Sequence, residues 1–162
     1  MADEIERKFL VSGDEWRAAI VRTRAIKQGY LANTDDCSVR IRVADDEGYI
    51  SVKSAGLEIA RKEYEYAIPL SDAVEMLDLF CTGNRIDKTR FHVAHQGREW
   101  EVDVFDGENR GLVLAEIELS AVDEEVEVPD WAGIEVSGDP RYLNSNLSTE
   151  PFSTWRTTGH TD

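Results

Sequence analysis

Apolar and polar positions alternate along most of this chain. Over residues 3–11, 38–43, 49–54, 59–68, 85–94, 98–105 and 112–119 the period is two, which predicts β-strands with one face of each kind. Residues 26–32 read as another strand, making eight. The run Ser38-Val39-Arg40-Ile41-Arg42-Val43 alternates without a break. Asp45-Asp46-Glu47-Gly48 predicts a hairpin into 49–54, and His95-Gln96-Gly97 joins 85–94 to 98–105. Gly56 breaks the chain before 59–68, and Pro69 stops that strand. Four segments read as helices instead. Residues 14–24 place Trp16, Ala19, Ile20 and Thr23 on one side. Residues 72–81 follow Ser71 as N-cap, with Ala73, Val74, Leu77 and Phe80 apolar. Asp139-Pro140 opens a helix over 140–147. Ser120 and Asp123 predict a short acidic helix over 121–126. From Glu150 the chain is polar, which divides it into one domain, 1–150, and a loose C-terminal tail, 151–162.

The polar positions of the strands are charged to an unusual degree. Residues i, i+2 and i+4 share a face, so Glu4, Glu6 and Lys8 form a row. The same spacing groups Arg40 with Arg42, Ser51 with Lys53, Arg61 with Glu63 and Glu65, Lys88 with Arg90, Glu101 with Asp103, and Glu116 with Glu118. Signs are sorted by strand: Arg40/Arg42 and Lys88/Arg90 are basic, Glu101/Asp103 and Glu116/Glu118 acidic. The reverse faces are apolar, among them Ile5, Phe9, Ile41, Val52, Tyr64, Tyr66, Phe91, Trp100, Val102 and Ile117; Arg7 and Lys62 break the pattern. An open sheet would turn its charged face to water, and a solvated face has no reason to sort its signs. The economical architecture is α+β: an eight-stranded antiparallel β-barrel tunnel with a charged lumen and helices packed outside. Closure also removes the sheet edges. Burying unpaired ions costs several kcal/mol each, so such a lumen needs a ligand of both signs. A polyphosphate with divalent cations fits, because Arg and Lys grip phosphate oxygens and carboxylates hold Mg2+ or Mn2+.

Composition narrows the partners. The chain has 162 residues and a formal charge of -15, which argues against nucleic acid. No apolar run approaches the ~18 residues of a membrane helix. The N-terminus has no apolar signal core, and Cys37 and Cys81 read as free thiols; a cytoplasmic protein is expected. His92, His95 and His160 form no zinc or triad pattern. A homodimer would suit so small a domain.

Glu4-Ile5-Glu6-Arg7-Lys8 resembles the ExExK signature of the CYTH superfamily, the triphosphate tunnel metalloenzymes. It is followed in order by Gln28-Gly29-Tyr30-Leu31, Arg40-Ile41-Arg42, Lys53, Arg61-Lys62-Glu63-Tyr64-Glu65, Lys88-Thr89-Arg90, Glu101-Val102-Asp103 and Glu116-Ile117-Glu118. Arg141-Tyr142-Leu143-Asn144 looks like the family's C-terminal helix motif, although Ser145 stands where some relatives carry lysine. The resemblance is closest to short bacterial inorganic triphosphatases. It implies that Glu4, Glu6, Glu116 and Glu118 bind metal, with Glu63, Glu65 and Asp103 completing or supporting a second position. It further implies that Lys8, Arg40, Arg42, Lys53 and Arg90 bind the triphosphate, with Tyr30 and Arg61 in support, and that Lys88 positions the attacking water. Metal-dependent hydrolysis of tripolyphosphate to pyrophosphate and phosphate is the activity implied. The same fold would also serve a class IV-like adenylyl cyclase, a thiamine or nucleoside triphosphatase, or a non-catalytic polyphosphate-binding module. No nucleotide-base motif favours the cyclase.

Overall fold

Alternating strands need partners on both edges, and here they find them in a ring. The computed structural model describes residues 3–56, 58–81, 83 and 85–155. Its strands are β1 (Asp3–Val11), β2 (Ile20–Asn33), β3 (Cys37–Ala44), β4 (Glu47–Ser54), β5 (Ala60–Ile68), β6 (Ile86–His95), β7 (Arg98–Phe105), β8 (Val113–Glu118) and β9 (Ala132–Glu135). The sheet runs β5-β4-β3-β2-β6-β7-β8-β1, and β1 pairs again with β5, closing an eight-stranded antiparallel barrel. The closing seam is short, with Asp3, Glu4 and Ile5 opposite Lys62, Arg61 and Ala60. Further along, β9 pairs with β1 on the edge that β5 leaves.

Turn chemistry sets the hairpins. Gln96 and Gly97 both take positive φ, 52° and 75°, as a tight two-residue turn between β6 and β7 requires. Asp45, at φ 53°, does similar service between β3 and β4. The helix α1 (Leu70–Phe80) starts directly after Pro69 with no side-chain cap, so Ser71 lies inside it and is not its N-cap. It lies across the outer face of β3 and β4, where Ala73, Leu77 and Cys81 pack on Ile41. The approach is close: a Cβ at Gly29 would stand 2.5 Å from Cys81 Cβ, and one at Gly48 2.8 Å from Ala73 Cβ.

Helices cover only part of the apolar outside. The largest cluster, with Phe9, Trp16, Trp100, Val102, Ile117 and Trp131, is covered by irregular chain instead. The expected helix over 14–24 is a single 3₁₀ turn, Glu15–Ala19, which seats Trp16 5.2 Å from Phe91. From Ile20 onward the chain is β2, because pairing with β6 outweighs the local helical spacing. No helix forms over 121–126; that stretch is turn and extended chain leading to Trp131, whose ring meets Trp100 edge-on at 5.6 Å. The expected helix over 140–147 divides into a 3₁₀ turn, Pro140–Tyr142, and α2 (Asn144–Leu147). Asp139 does cap the turn, accepting a hydrogen bond from the Arg141 backbone N–H at 3.0 Å.

One end of the barrel is filled. Leu10, Ile86, Phe105 and Leu114 continue the inward rows of β1, β6, β7 and β8 as apolar side chains and pack with Tyr142 and Leu147. Each large side chain buried there contributes about 1.5–3 kcal/mol. Part of the expected tail joins this cluster. The short helix α3 (Phe152–Trp155) sets Trp155 5.2 Å from Tyr142. The rest of that tail, 156–162 with His160, lies outside the described residues.

Candidate active site in the barrel lumen

The inward rows enclose a cavity of about 310 Å³. Nine of the chain's 18 Lys and Arg side chains line it, against seven of its 33 Asp and Glu. A strongly acidic protein thus concentrates half of its cations in one chamber. Every site residue expected from the sequence lines this cavity except Asp103, which lies fully buried behind it.

The first wall, on β6, β7 and β8, is matched in charge. Arg90 donates two parallel hydrogen bonds to Asp103, at 2.8 and 2.9 Å, and reaches Glu116 at 3.3 Å and Glu101 at 3.4 Å. Lys88 Nζ lies 2.8 Å from Asp103 Oδ2. Burial opposes charge on Asp103, but Arg90 and Lys88 outweigh it and hold the carboxyl far below its usual range. Burial likewise opposes charge on Glu116, yet Lys8 and Arg90 bring it to about 2. Lys88 moves the other way, to about 7, chiefly through burial. With both oxygens engaged, Asp103 is a partner of Arg90 and Lys88 in this structure.

The second wall, on β3, β4 and β5, is also matched. Lys53 Nζ stands 2.7 Å from Glu4 Oε1, too poorly aligned for a hydrogen bond, and 3.9 Å from Glu63. Arg40 approaches Glu63 and Glu65 at 3.4 and 3.5 Å and bonds Ser51 at 3.1 Å.

Between the walls charge is unmatched. Glu6 and Glu118 stand directly opposite on β1 and β8, and among the described residues neither carboxylate has a hydrogen bond or ion pair. Burial, then Glu116 and Glu4, raise the Glu6 carboxyl well above its ordinary value. Glu118 is raised by burial, then by Glu4 and Glu63. Arg42 has the opposite deficit. Its Nε donates to the Gln28 amide oxygen at 2.8 Å, and no carboxylate among the described residues pairs with it. Burial, then Arg40 and Arg90, lower it to about 9, so it stays charged at neutral pH. Arg61 has no ion-pair partner among the described residues, and Lys8 Nζ donates to the Tyr142 carbonyl at 3.0 Å. Tyr30 lines the cavity from β2.

These donors suit a hard divalent cation: several carboxylates converge, and among the described residues Glu6 has no bonded cation, only the weaker pull of Lys53 and Lys8. Among the described residues no three acids or histidines are already gathered about one metal position. Glu4 is turned to Lys53 and Glu116 to Arg90, so both would have to swing toward a metal.

Several lining residues had no role in the sequence reading. Arg22 and Arg24 extend the i, i+2 rows on β2 and were hidden by the helical spacing of 14–24. Arg24 pairs with Glu47 at 2.6 Å. His92, two positions beyond Arg90, sits between Glu99 at 2.9 Å and Arg22 at 3.4 Å. Leu143, Asn144 and Ser145 enter the lumen from the C-terminal segment; no period announces them, and only the resemblance of Arg141-Tyr142-Leu143-Asn144 to the family's C-terminal motif points to that segment.

The CYTH domain model matches residues 2–149. An inorganic triphosphatase of Acetivibrio thermocellus is 47% identical over 156 residues, covering 96% of this chain and 99% of that protein. An inorganic triphosphatase of Nitrosomonas europaea is 36% identical over 149 residues, covering 90% and 96%. A solved inorganic triphosphatase structure, 35% identical, superposes with a TM-score of 0.63 over 90% of this chain and 97% of its own.

Proposed function

The chain belongs to the CYTH domain family, and from that premise we propose that it hydrolyses inorganic triphosphate to pyrophosphate and phosphate inside the barrel. One observation carries this reading. Among the described residues, a half-buried guanidinium without a carboxylate, Arg42, shares a chamber with a carboxylate pair without a bonded cation, Glu6 and Glu118. A polyanion alone would satisfy the first and repel the second. A triphosphate bound with a divalent metal satisfies both.

Glu4, Glu6, Glu116 and Glu118 would hold that metal, Mg2+ or Mn2+, with Glu63 and Glu65 beside them. When bound, the ion supplies positive charge to the phosphate oxygens. Arg42, Arg40, Arg90, Lys8, Lys53 and Arg61 take the remaining phosphate oxygens, with the Tyr30 hydroxyl in support. Asp103 holds Arg90 and Lys88 in place. Lys88 has one donor left beyond Asp103 and Asn144, and with it orients a water in line with the terminal phosphorus. The basic residues stabilise charge on the transferring group and on the leaving pyrophosphate. Water adds across the terminal anhydride, so the reaction needs no covalent nucleophile.

Phosphate release from tripolyphosphate with Mg2+ or Mn2+ tests the reading. Glu6→Gln and Arg42→Ala should each lower kcat/KM by about 10²-fold or more; a rate left intact in either variant overturns it. ATP as a parallel substrate, with cyclic AMP, ADP and pyrophosphate resolved, identifies a cyclase or a nucleotide hydrolase instead.

A further inference from the structure

Two amides join residues that the mechanism uses separately. Arg42 Nε donates to Gln28 Oε1 at 2.8 Å, Gln28 Nε2 donates to Asn144 Oδ1 at 3.1 Å, and Lys88 Nζ donates to the same Oδ1 at 2.9 Å. The chain of bonds runs from β3 through β2 to the C-terminal segment and back to β6. Its polarity is forced. Arginine and the charged form of lysine only donate, so an amide oxygen must face each of them. With Gln28 Oε1 facing Arg42, its Nε2 is left for Asn144, whose oxygen is the atom that also suits Lys88. Neither amide can flip without losing a charge-assisted hydrogen bond.

We propose that Asn144 and Gln28 form an amide relay that fixes the poses of Lys88 and Arg42, making them positioning residues for triphosphate hydrolysis. The inference rests on the triphosphatase reading of this lumen. Lys88 shows why the relay is needed. An ammonium has three donors; Asp103 takes one and Asn144 a second, so two fixed points determine where the third is aimed. With Asp103 alone the amine could turn about a single bond. Gln28 does the same for Arg42: it holds Nε, on the inner side, and leaves the outer nitrogens for phosphate. Gln28 is fully buried, so its amide has no water to fall back on. Asn144 is delivered by Leu143 and α2, anchored below by Leu147 in the apolar end cluster. The packing of the C-terminal segment is thereby coupled to the aim of a lysine on β6.

Steady-state hydrolysis of tripolyphosphate by the full chain tests this. Asn144→Leu keeps the size of the side chain and removes the acceptor. It should lower kcat by roughly 10²-fold, the scale of a misaimed catalytic group, with KM within about twofold; Tm should drop by about 3–9 °C because the buried Gln28 Nε2 loses its acceptor, with the circular dichroism at about 25 °C that of wild type. Asn144→Asp restores an acceptor and should recover most of that kcat. Gln28→Met should raise KM as well as lower kcat, because it also releases Arg42; should it fail to fold, the Asn144 pair still decides. A kcat in Asn144→Leu within about threefold of wild type, or equal losses in the Leu and Asp variants, overturns the relay alone. Wild-type protein that leaves tripolyphosphate intact with either metal overturns the triphosphatase reading and the relay with it.

Discussion

Two regions of the same lumen treat buried charge in opposite ways. On β6 and β7, Arg90 and Lys88 are tied to Asp103 by bonds of 2.8–2.9 Å, and that carboxyl is held far below its ordinary range. Across β1 and β8, Glu6 faces Glu118 with no cation among the described residues bonded to either, and the Glu6 carboxyl is raised well above the ordinary value. Both regions are made of charged side chains at i, i+2 spacing on antiparallel strands. They differ in what stands opposite. A matched wall stabilises the barrel without help and keeps its cations in place. An unmatched one is held in a strained ionisation state, available to a ligand that brings the missing charge.

Removing the metal should separate the two regions most sharply. With EDTA, phosphate release should fall by about 10³-fold or more, the several kcal/mol that a bound cation supplies to phosphoryl charge. The barrel itself should stay folded, as circular dichroism would report. A rate unaffected by chelation would remove the acid cluster from the chemistry.

Breaking the matched wall should act first on stability. Asp103→Asn leaves Arg90 and Lys88 short of a charge partner in a site where Asp103 is 1% exposed. It should cost about 3–5 kcal/mol in urea unfolding. A change under about 1 kcal/mol would mean that water replaces the carboxylate without loss, contrary to the burial seen.

The unmatched pair predicts the reverse sign. Glu6 has a folded-state pKa raised above its unfolded one, so its ionised form destabilises the native state at neutral and alkaline pH. Glu6→Gln in EDTA should therefore raise Tm at pH 8, by about 3 °C for each kcal/mol relieved. The gain should shrink as pH falls toward 4.5, the ordinary value for a glutamate, where both proteins are neutral at this site. The same substitution that inactivates the enzyme would stabilise it. A variant less stable than wild type at pH 8 would show that Glu6 has a structural partner.

The smallest effect is expected outside the barrel. Arg7 and Glu135 are bonded at 2.7 Å, but both are partly exposed. Arg7→Ala should cost about 0.5 kcal/mol and change turnover by less than about twofold. A large loss of activity there would mean that charge on the outer face reaches the lumen.

Much of this contrast was legible beforehand. Arg40/Arg42, Lys88/Arg90 and Glu116/Glu118 share a face because strand geometry permits nothing else, and all six line the cavity. The errors fell where local pattern and long-range pairing disagree. Ile20 and Thr23 suit a helix by spacing and a strand by their β-branching, and only β6, bringing His92 and Arg90 opposite Arg22 and Arg24, resolves the choice. The family resemblance sets Asp103 with the acids of a second metal position; its engagement by Arg90 and Lys88 depends on which strand lies beside β7. Asn144 carries no periodic signal, since it reaches the lumen from a segment that is not part of the barrel wall.

The sequence by itself determined which side chains travel together, because a period of two fixes the face of every residue in a strand. It also determined that this face carries both signs of charge. Only the tertiary structure decided which charges meet. Closure of β1 on β5, the order of strands round the ring and the return of the C-terminal segment are set by pairings between residues far apart in the chain. Those pairings gave Arg90 its carboxylates and, among the described residues, left Glu6, Glu118 and Arg42 without an ion-pair partner.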